Sequence, residues 1–462
     1  MHHGASRRRG TGAKPRRDRG ADALHQVSAT GNAAVTEHAA VTRHAAVTEH
    51  AAVTEHAAVT GRAAVTGRAA VTAVFVVQGM LFASWTAHIP HVQQHLGIGN
   101  GALGIALLGA PAGSVLAMLA AAWLLPRAGS RAVVRASLAG YCVAGPLVGL
   151  VGSSGALFGA LLAWGAFQGG LDVAMNTQAI AVERRAGRPL MTGFHGAWSV
   201  GALAGAALGA GGVAAGLSLT MQLVVVAAPC LAVAGWLTVG MLPDARRGAP
   251  GSAPGPPPAT SGARPAPDQP IRPRVALAVA ALGAIALVDM LCEGAAADWS
   301  AVYLRNDVGT GAAVAGLGYA VYAVAMVAVR LSGNHLLARV PASRLLPVLA
   351  GVATVGFAAG LATGSPAATL VGFGCLGAGL AAVVPTVFAA AGRLPGMHGG
   401  TAVALVSALG WVGFVGGPPL IGQLAAASSL RWALVAVPVS TAVVTVATAT
   451  SRALRQAPTG RS

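Results

Sequence analysis

The stretch PDARRGAPGSAPGPPPATSGARPAPDQPIRPR, residues 243–274, divides the chain into two similar parts. Its proline, glycine and serine content forbids a packed element and reads as a flexible linker. Before it lie six apolar runs, at 70–89, 102–125, 132–151, 156–176, 190–214 and 219–242. After it lie six more, at 275–297, 312–329, 345–362, 367–390, 400–424 and 432–448. Each is about as long as a helix needs to be to cross the hydrocarbon core of a bilayer, roughly 20 residues. The reading is an all-α membrane protein with twelve transmembrane helices in two pseudo-symmetric six-helix bundles.

Composition agrees with that reading. The 462 residues are 55% hydrophobic and only 9% charged, and the mean hydropathy is +0.67. Soluble chains carry about 25% charge, so an ordinary soluble enzyme is excluded. The formal net charge of +17 would suggest a nucleic-acid partner in a soluble chain. Here the cations sit in the N-terminal tail and in short loops, so no nucleic acid is expected. Cys142, Cys230, Cys292 and Cys375 stand singly in apolar runs, without the spacing of a disulfide framework or a zinc site.

Residues 1–68 read as a disordered tail, Arg-rich at first and then built from hexapeptides of the type AAVTEH over 33–72. A period of six fits neither a helical face nor a heptad. Residues 450–462 read as a second tail. With the N-terminus placed in the cytoplasm, eighteen arginines fall in inner loops, linker and C-terminal tail, Arg330 among them, whereas only Arg305 and Arg431 fall outside. By the positive-inside rule both termini are cytoplasmic, in a multi-pass protein of the inner or plasma membrane.

The turn LLPRAGSR (124–131) and its counterpart SGNHLLARVPASR (332–344) resemble the inner-loop signature of the major facilitator superfamily. Arg127, Gly129 and Arg131 match its pattern. Pro126 stands where the family has Asp, Ser130 where it has a basic residue, and Asn334 replaces Asp in the second copy. The resemblance implies the major facilitator fold, rocking of two bundles about a central cavity, and a gating-loop role for Arg127, Gly129 and Arg131. It also implies a small-molecule solute and a monomer.

Polar residues inside spans mark pathways. In ALLAWGAFQGGLDVAMNTQA (160–179), Trp164, Gln168, Asp172 and Asn176 recur every four residues and share a slowly turning face. The stretch GLDVAMN (170–176), with FHGAWSVGALAGAALG (194–209) and EGAAADWSAVYLR (293–305), resembles fucose-permease-like proton symporters. That resemblance implies a proton-carrying role for Asp172 and a cavity-lining role for Asn176. The first span, however, offers only Gln78 where those symporters have an acid.

In the seventh span Asp289 and Glu293 lie one turn apart. Two carboxylates so close repel when both are ionised, so they form a second candidate proton relay. Asp298 follows near the outer end, and the competing reading is that Asp298, and Glu293 with it, is interfacial, solvated or paired with Arg305. His195 and Ser199 in the fifth span and Trp411 in the eleventh complete the candidate solute-binding set of Trp164, Gln168, Asn176, His195, Ser199 and Trp411. Trp198 lies beside His195 and Ser199, and Ser407 with Trp411, and Tyr319 with Tyr322 in the eighth span, are further candidate cavity liners, their rings suited to stacking on a sugar. HIPHVQQH (88–95) has ligand-like histidine spacing, but Pro90 interrupts it; no metal site and no cofactor are expected, beyond the use of a proton gradient.

These expectations converge on a secondary transporter of a small polar, sugar-like solute. The alternatives are a proton-coupled efflux pump for amphipathic compounds and a membrane sensor or scaffold. No nucleotide-binding or hydrolytic motif supports an enzyme.

Overall fold

The computed structural model describes residues 65–188, 190–244, 273–395, 397 and 399–450. The hexapeptide repeat up to 64, the linker over 245–272 and the tail from 451 lie outside the described residues. Among the described residues there are helices and no strands. Twelve helical spans are long and apolar enough to cross a membrane.

The first six are α1 (Val65–Thr86), α2 (Asn100–Ala121), α3 (Ser130–Leu150), α4 (Ser154–Ala186), α5 (Gly193–Ala214) and α6 (Leu219–Gly240). The second six are α7 (Pro273–Asp307), α8 (Ala312–Ser332), α9 (Ser343–Thr363), α10 (Pro366–Ala391), α11 (Thr401–Ala427) and α12 (Leu430–Thr450). The helix α1 is already formed at Val65, so the last four residues of the expected tail (65–68) are helical and join the AAVT unit at 69–72 to the apolar run.

The same three pairings occur in both halves. Helices α1 and α5 pack closely, as do α7 and α11: an added Cβ at Gly205 would lie 2.1 Å from the Met80 carbonyl, and one at Gly413 would lie 2.0 Å from the Leu287 carbonyl. The pair α2/α4 is matched by α8/α10, where Gly377 faces the Tyr322 carbonyl. The pair α3/α6 is matched by α9/α12. In the former, Thr220 Oγ1 donates to the Pro146 carbonyl at 3.1 Å, and in the latter Thr354 Oγ1 donates to Thr441 Oγ1 at 2.9 Å. Small residues let the helix backbones touch, which is how membrane helices gain contact without a hydrophobic drive between them.

The α2/α4 contact positions the polar stripe. Helix α4 starts at an N-cap, the Ser153 hydroxyl accepting from the Ala156 amide at 3.2 Å, and ends at Gly187 with φ 64°. Its Gly165 and Gly169 lie so near α2 that a Cβ would stand 2.0 Å from the Ala110 carbonyl and 2.3 Å from that of Ser114. Ser114 Oγ donates to the Gly165 carbonyl at 2.9 Å, adding a hydrogen bond across this contact.

The halves touch each other at the end opposite the arginine-rich turns. There the α2 backbone at Gly104 meets α11, where a Cβ would lie 2.6 Å from the Pro418 carbonyl and 3.0 Å from Gly422 Cα. Gly316 of α8 meets Ala210 of α5. Carboxamides add three bonds between the halves: Asn306 Nδ2 to Gln93 Oε1 at 3.0 Å, Gln94 Nε2 to Asn306 Oδ1 at 3.4 Å, and Gln423 Nε2 to the Gly101 carbonyl at 3.3 Å. Gln93 is held in turn by donating to Asn100 Oδ1 at 2.8 Å.

Candidate functional site

Between the halves lies a cavity of about 280 Å³, just under the roughly 300 Å³ at which pockets for drug-sized ligands begin. Its polar lining comes from Gln78, Ser114, Gln168, Asp172, His195 and Ser199 of the first half and from Glu293 and Arg330 of the second. Its aromatic lining comes from Phe75, Phe82, Trp198, Trp411 and Phe414. Both bundles therefore contribute carboxylates and aromatic faces to one space.

The expected stripe on α4 divides. Gln168 and Asp172 line the cavity. Trp164 and Asn176 do not, because a four-residue step advances about 40° around the helix beyond one full turn, and the stripe rotates away at both ends. Trp164 is buried, donates from Nε1 to the Tyr141 carbonyl at 3.0 Å and stacks on the Tyr141 ring at 5.1 Å. Asn176 donates from Nδ2 to the Asp172 carbonyl at 2.8 Å, with Asp172 Oδ1 at 3.4 Å, so it contacts the acid rather than the cavity. Gln78 ties α1 to α4 by donating from Nε2 to the Gln168 carbonyl at 3.2 Å.

On α5, His195 sits edge-on to Phe75 with ring centroids 5.4 Å apart, and Ser199 Oγ donates to the His195 carbonyl at 3.2 Å. On α7 only Glu293 of the acidic pair reaches the cavity. Asp289 is fully enclosed one turn away, and its Oδ1 has no hydrogen-bond partner among the described residues. Tyr319 and Tyr322 stack on each other at 5.6 Å and are not among the lining residues, although Tyr319 meets the lining ring of Phe82 edge-on at 6.3 Å. Trp411 lines the cavity, edge-to-face with Phe414 at 5.6 Å; Ser407 does not line it.

Two placements correct the sequence reading. Arg330 belongs to α8 and lines the cavity, not an inner loop. The apolar run ends at Val329, but the helix continues past it, and Arg330 Nε donates to the Ala381 carbonyl at 3.2 Å, where α10 breaks between its two helical segments. Asp298 does not pair with Arg305. It lines a second, smaller chamber of about 40 Å³ that shares Phe82, Ser114, Gln168, Trp411 and Phe414 with the main cavity. Arg305 instead donates to the Thr310 carbonyl at 2.9 Å. The sequence signal for both residues was present, a charge within or beside an apolar run, but inter-bundle packing decides what each one faces.

At the arginine-rich end, Arg127 lies over the Trp123 ring at 4.1 Å and donates to the Trp123 carbonyl at 2.8 Å. Gly129 has φ 81°, and a Cβ there would meet Asp244 Oδ2 at 2.5 Å, so both conformation and space demand glycine. Arg131 donates from Nη2 to the Val239 carbonyl at 2.9 Å. Asp244 accepts from the Ser130 amide, the Ser130 hydroxyl and the Arg131 amide. Partial burial would raise its pKa, but these hydrogen bonds prevail and hold it below the usual carboxylate range.

At the opposite end His88 is buried, with Nε2 unpaired, and His91 is 6.3 Å away between ring centroids. Burial, assisted by His91, pushes the His88 imidazole down to about 4. No group of three or more His, Cys, Asp or Glu among the described residues is placed to hold a metal ion.

Comparison with known proteins agrees with this architecture. No family model matches the chain. An uncharacterised MFS-type transporter of Yersinia pestis is 33% identical over 77% of this chain and 88% of its own length. An uncharacterised transporter of Sinorhizobium fredii is 31% identical over 81% of this chain and 95% of its own. Among solved structures, a bacterial homologue of the human lysosomal transporter Spinster superposes with a TM-score of 0.63 at 16% identity, covering 85% of this chain and 97% of that one; at that identity the likeness concerns the fold. Twelve spans in two repeated bundles around a central cavity define a multi-pass membrane transporter. The chain belongs to the major facilitator superfamily.

Proposed function

We propose that the protein is a secondary active transporter that moves a small polar, sugar-like solute by alternating access and couples that movement to protons. The observation that carries the reading is the 280 Å³ cavity, in which the carboxylates Asp172 and Glu293 face the same space from opposite bundles. Gln78, Gln168, Ser199 and His195 supply donors and acceptors for hydroxyl groups, and Trp198 and Trp411 supply faces on which a sugar ring can stack. Protonation of Asp172, or of Glu293 backed by Asp289, removes charge from the crevice and lets the bundles rock. The arginine bias supports a cell-membrane protein with both termini cytoplasmic, and hence a cavity lying toward the cytoplasm; we take the transporting unit to be a monomer, since one chain supplies both bundles.

The amphipathic-efflux reading is supported by five aromatic side chains in the same lining. One experiment separates the two. Proteoliposomes are given a pH gradient and radiolabelled D-xylose, L-fucose and myo-inositol, or the cationic dye ethidium, with wild type and Asp172→Asn compared. The proposal expects gradient-driven uptake of a neutral polyol or sugar that Asp172→Asn lowers at least tenfold. Gradient-driven movement of ethidium alone would favour efflux, and flux indifferent to both gradient and substitution would refute proton coupling.

A further inference from the structure

The second chamber lies between the main cavity and the end where the halves meet, and no part of the reading above uses it. At about 40 Å³ it is too small for a sugar. Roughly 10–15 Å³ of such space admits one water molecule, so it holds a few waters at most. Its walls are largely aromatic, with Trp85 and Trp164 from the first bundle and Trp411 from the second.

Asp298 is the one ionisable side chain in the chamber lining, and it makes no hydrogen bond or ion pair among the described residues. A bare carboxylate within a span is costly unless a proton or a cation neutralises it. No cationic side chain lines the chamber. Of the other oxygen-bearing groups there, Ser114 spends its proton on the Gly165 carbonyl and Gln168 offers a single amide, a poor cage for a metal ion. The Tyr319 phenol on α8 faces Asp298 electrostatically, and the carboxylates Glu293 and Asp172 line the adjoining main cavity, which shares Gln168 with the chamber. Gln168 lines both spaces, and its side-chain amide makes no hydrogen bond among the described residues.

We infer that Asp298 and its chamber form a proton-holding site in series with the solute cavity, one that admits water and excludes solute. A water-borne proton adds to a carboxylate oxygen of Asp298, giving the neutral acid. It leaves to a chamber water and is taken up beyond Gln168 by the Asp172 carboxylate, so one proton moves and no bond in the solute changes. This inference rests on the proton-coupled reading but is tested separately from it.

The test is infrared difference spectroscopy of the full-length protein in nanodiscs, without added solute, the probe being the proton itself. Acid-minus-base spectra of the wild type should contain a carboxylic-acid C=O band that shifts in D2O and responds to pH. Asp298→Asn should lose that band, Asp298→Glu should retain one, and Asp172→Asn should lose a different band. A spectrum unchanged by Asp298→Asn overturns the inference. So does a band that responds to NaCl against choline chloride at fixed pH, which would make the chamber a sodium site. Should Asp298→Asn fail to fold, Asp298→Glu with a pH-insensitive band gives the same refutation. If the band behaves as expected while liposome flux ignores the pH gradient, the coupled-transport reading fails and the site stands.

Discussion

Asp244, just beyond α6, closes the start of α3 by accepting hydrogen bonds from both the amide and the hydroxyl of Ser130, the amide bond at 2.9 Å. The first amides of a helix have no partners of their own, and here a residue more than a hundred positions away supplies the acceptor. Gln178 of α4 joins the cluster by donating to Ser130 Oγ at 2.8 Å and to the Leu242 carbonyl at 3.0 Å.

Asp244→Ala should therefore cost about 1 kcal/mol, the usual worth of a capping side chain. The folded pKa lies below the unfolded value near 4. The stabilisation is thus present above that value and is lost as pH falls through the folded one. Thermal unfolding in detergent should show wild type above Asp244→Ala at neutral pH, with the gap closing only in strong acid.

His88 loses stability in the same direction, as pH falls, but in a milder range. Its folded value of about 4 against roughly 6.5 unfolded means that the unfolded chain binds a proton first as pH falls. Stability is full above about 6.5 and declines toward 4, by up to about 3 kcal/mol. His88→Gln should flatten the Tm against pH curve over that window, as measured by scanning fluorimetry.

Backbone contact between α2 and α4 makes Gly165 intolerant of a side chain. Gly165→Val should destabilise by more than the roughly 1–3 kcal/mol typical of overpacking, since its Cβ would collide with backbone, the Ala110 carbonyl. Gly155→Val, on the same helix with open space around it, should shift stability by less than about 1 kcal/mol, and upward if at all, because valine is the better helix former. Denaturation midpoints of the two variants test the contrast.

A cross-link can hold the two bundles together. A Cβ added at Gly101 would stand 3.1 Å from that of Ala426, slightly inside the roughly 3.5–4.5 Å of a disulfide. The double variant Gly101→Cys, Ala426→Cys should oxidise readily, arrest transport at least tenfold in liposomes, and recover on reduction. Free flux in the oxidised form would mean that this contact persists through the transport cycle.

Much of this architecture was legible in the chain itself. The twelve apolar runs and the linker fixed the number of helices, since nothing but a membrane accommodates them. Gln168 and Asp172 were legible because polar groups in an apolar run must face something polar. Trp164 and Asn176 were not, because whether a stripe at four-residue spacing stays in view depends on how much of the helix circumference the partner bundle leaves open. Arg330 sat one residue past an apolar run and read as loop, and Asp298 sat near the end of one and read as surface; both turn on contacts between distant segments. Asp244 carried no local signal at all, lying at the head of a proline-rich stretch.

The contacts that shut the crevice at the Gln93, Asn306 and Gly104 end have a thermodynamic corollary. The three hydrogen bonds that span it join uncharged amides, and Gly104 meets Pro418 and Gly422 backbone to backbone. Mobile ions screen charges, not neutral dipoles or van der Waals contacts. The part of the free energy of separation that these neutral contacts supply should accordingly be nearly indifferent to ionic strength, and any dependence on salt should trace to the like charges of His91 and Arg305.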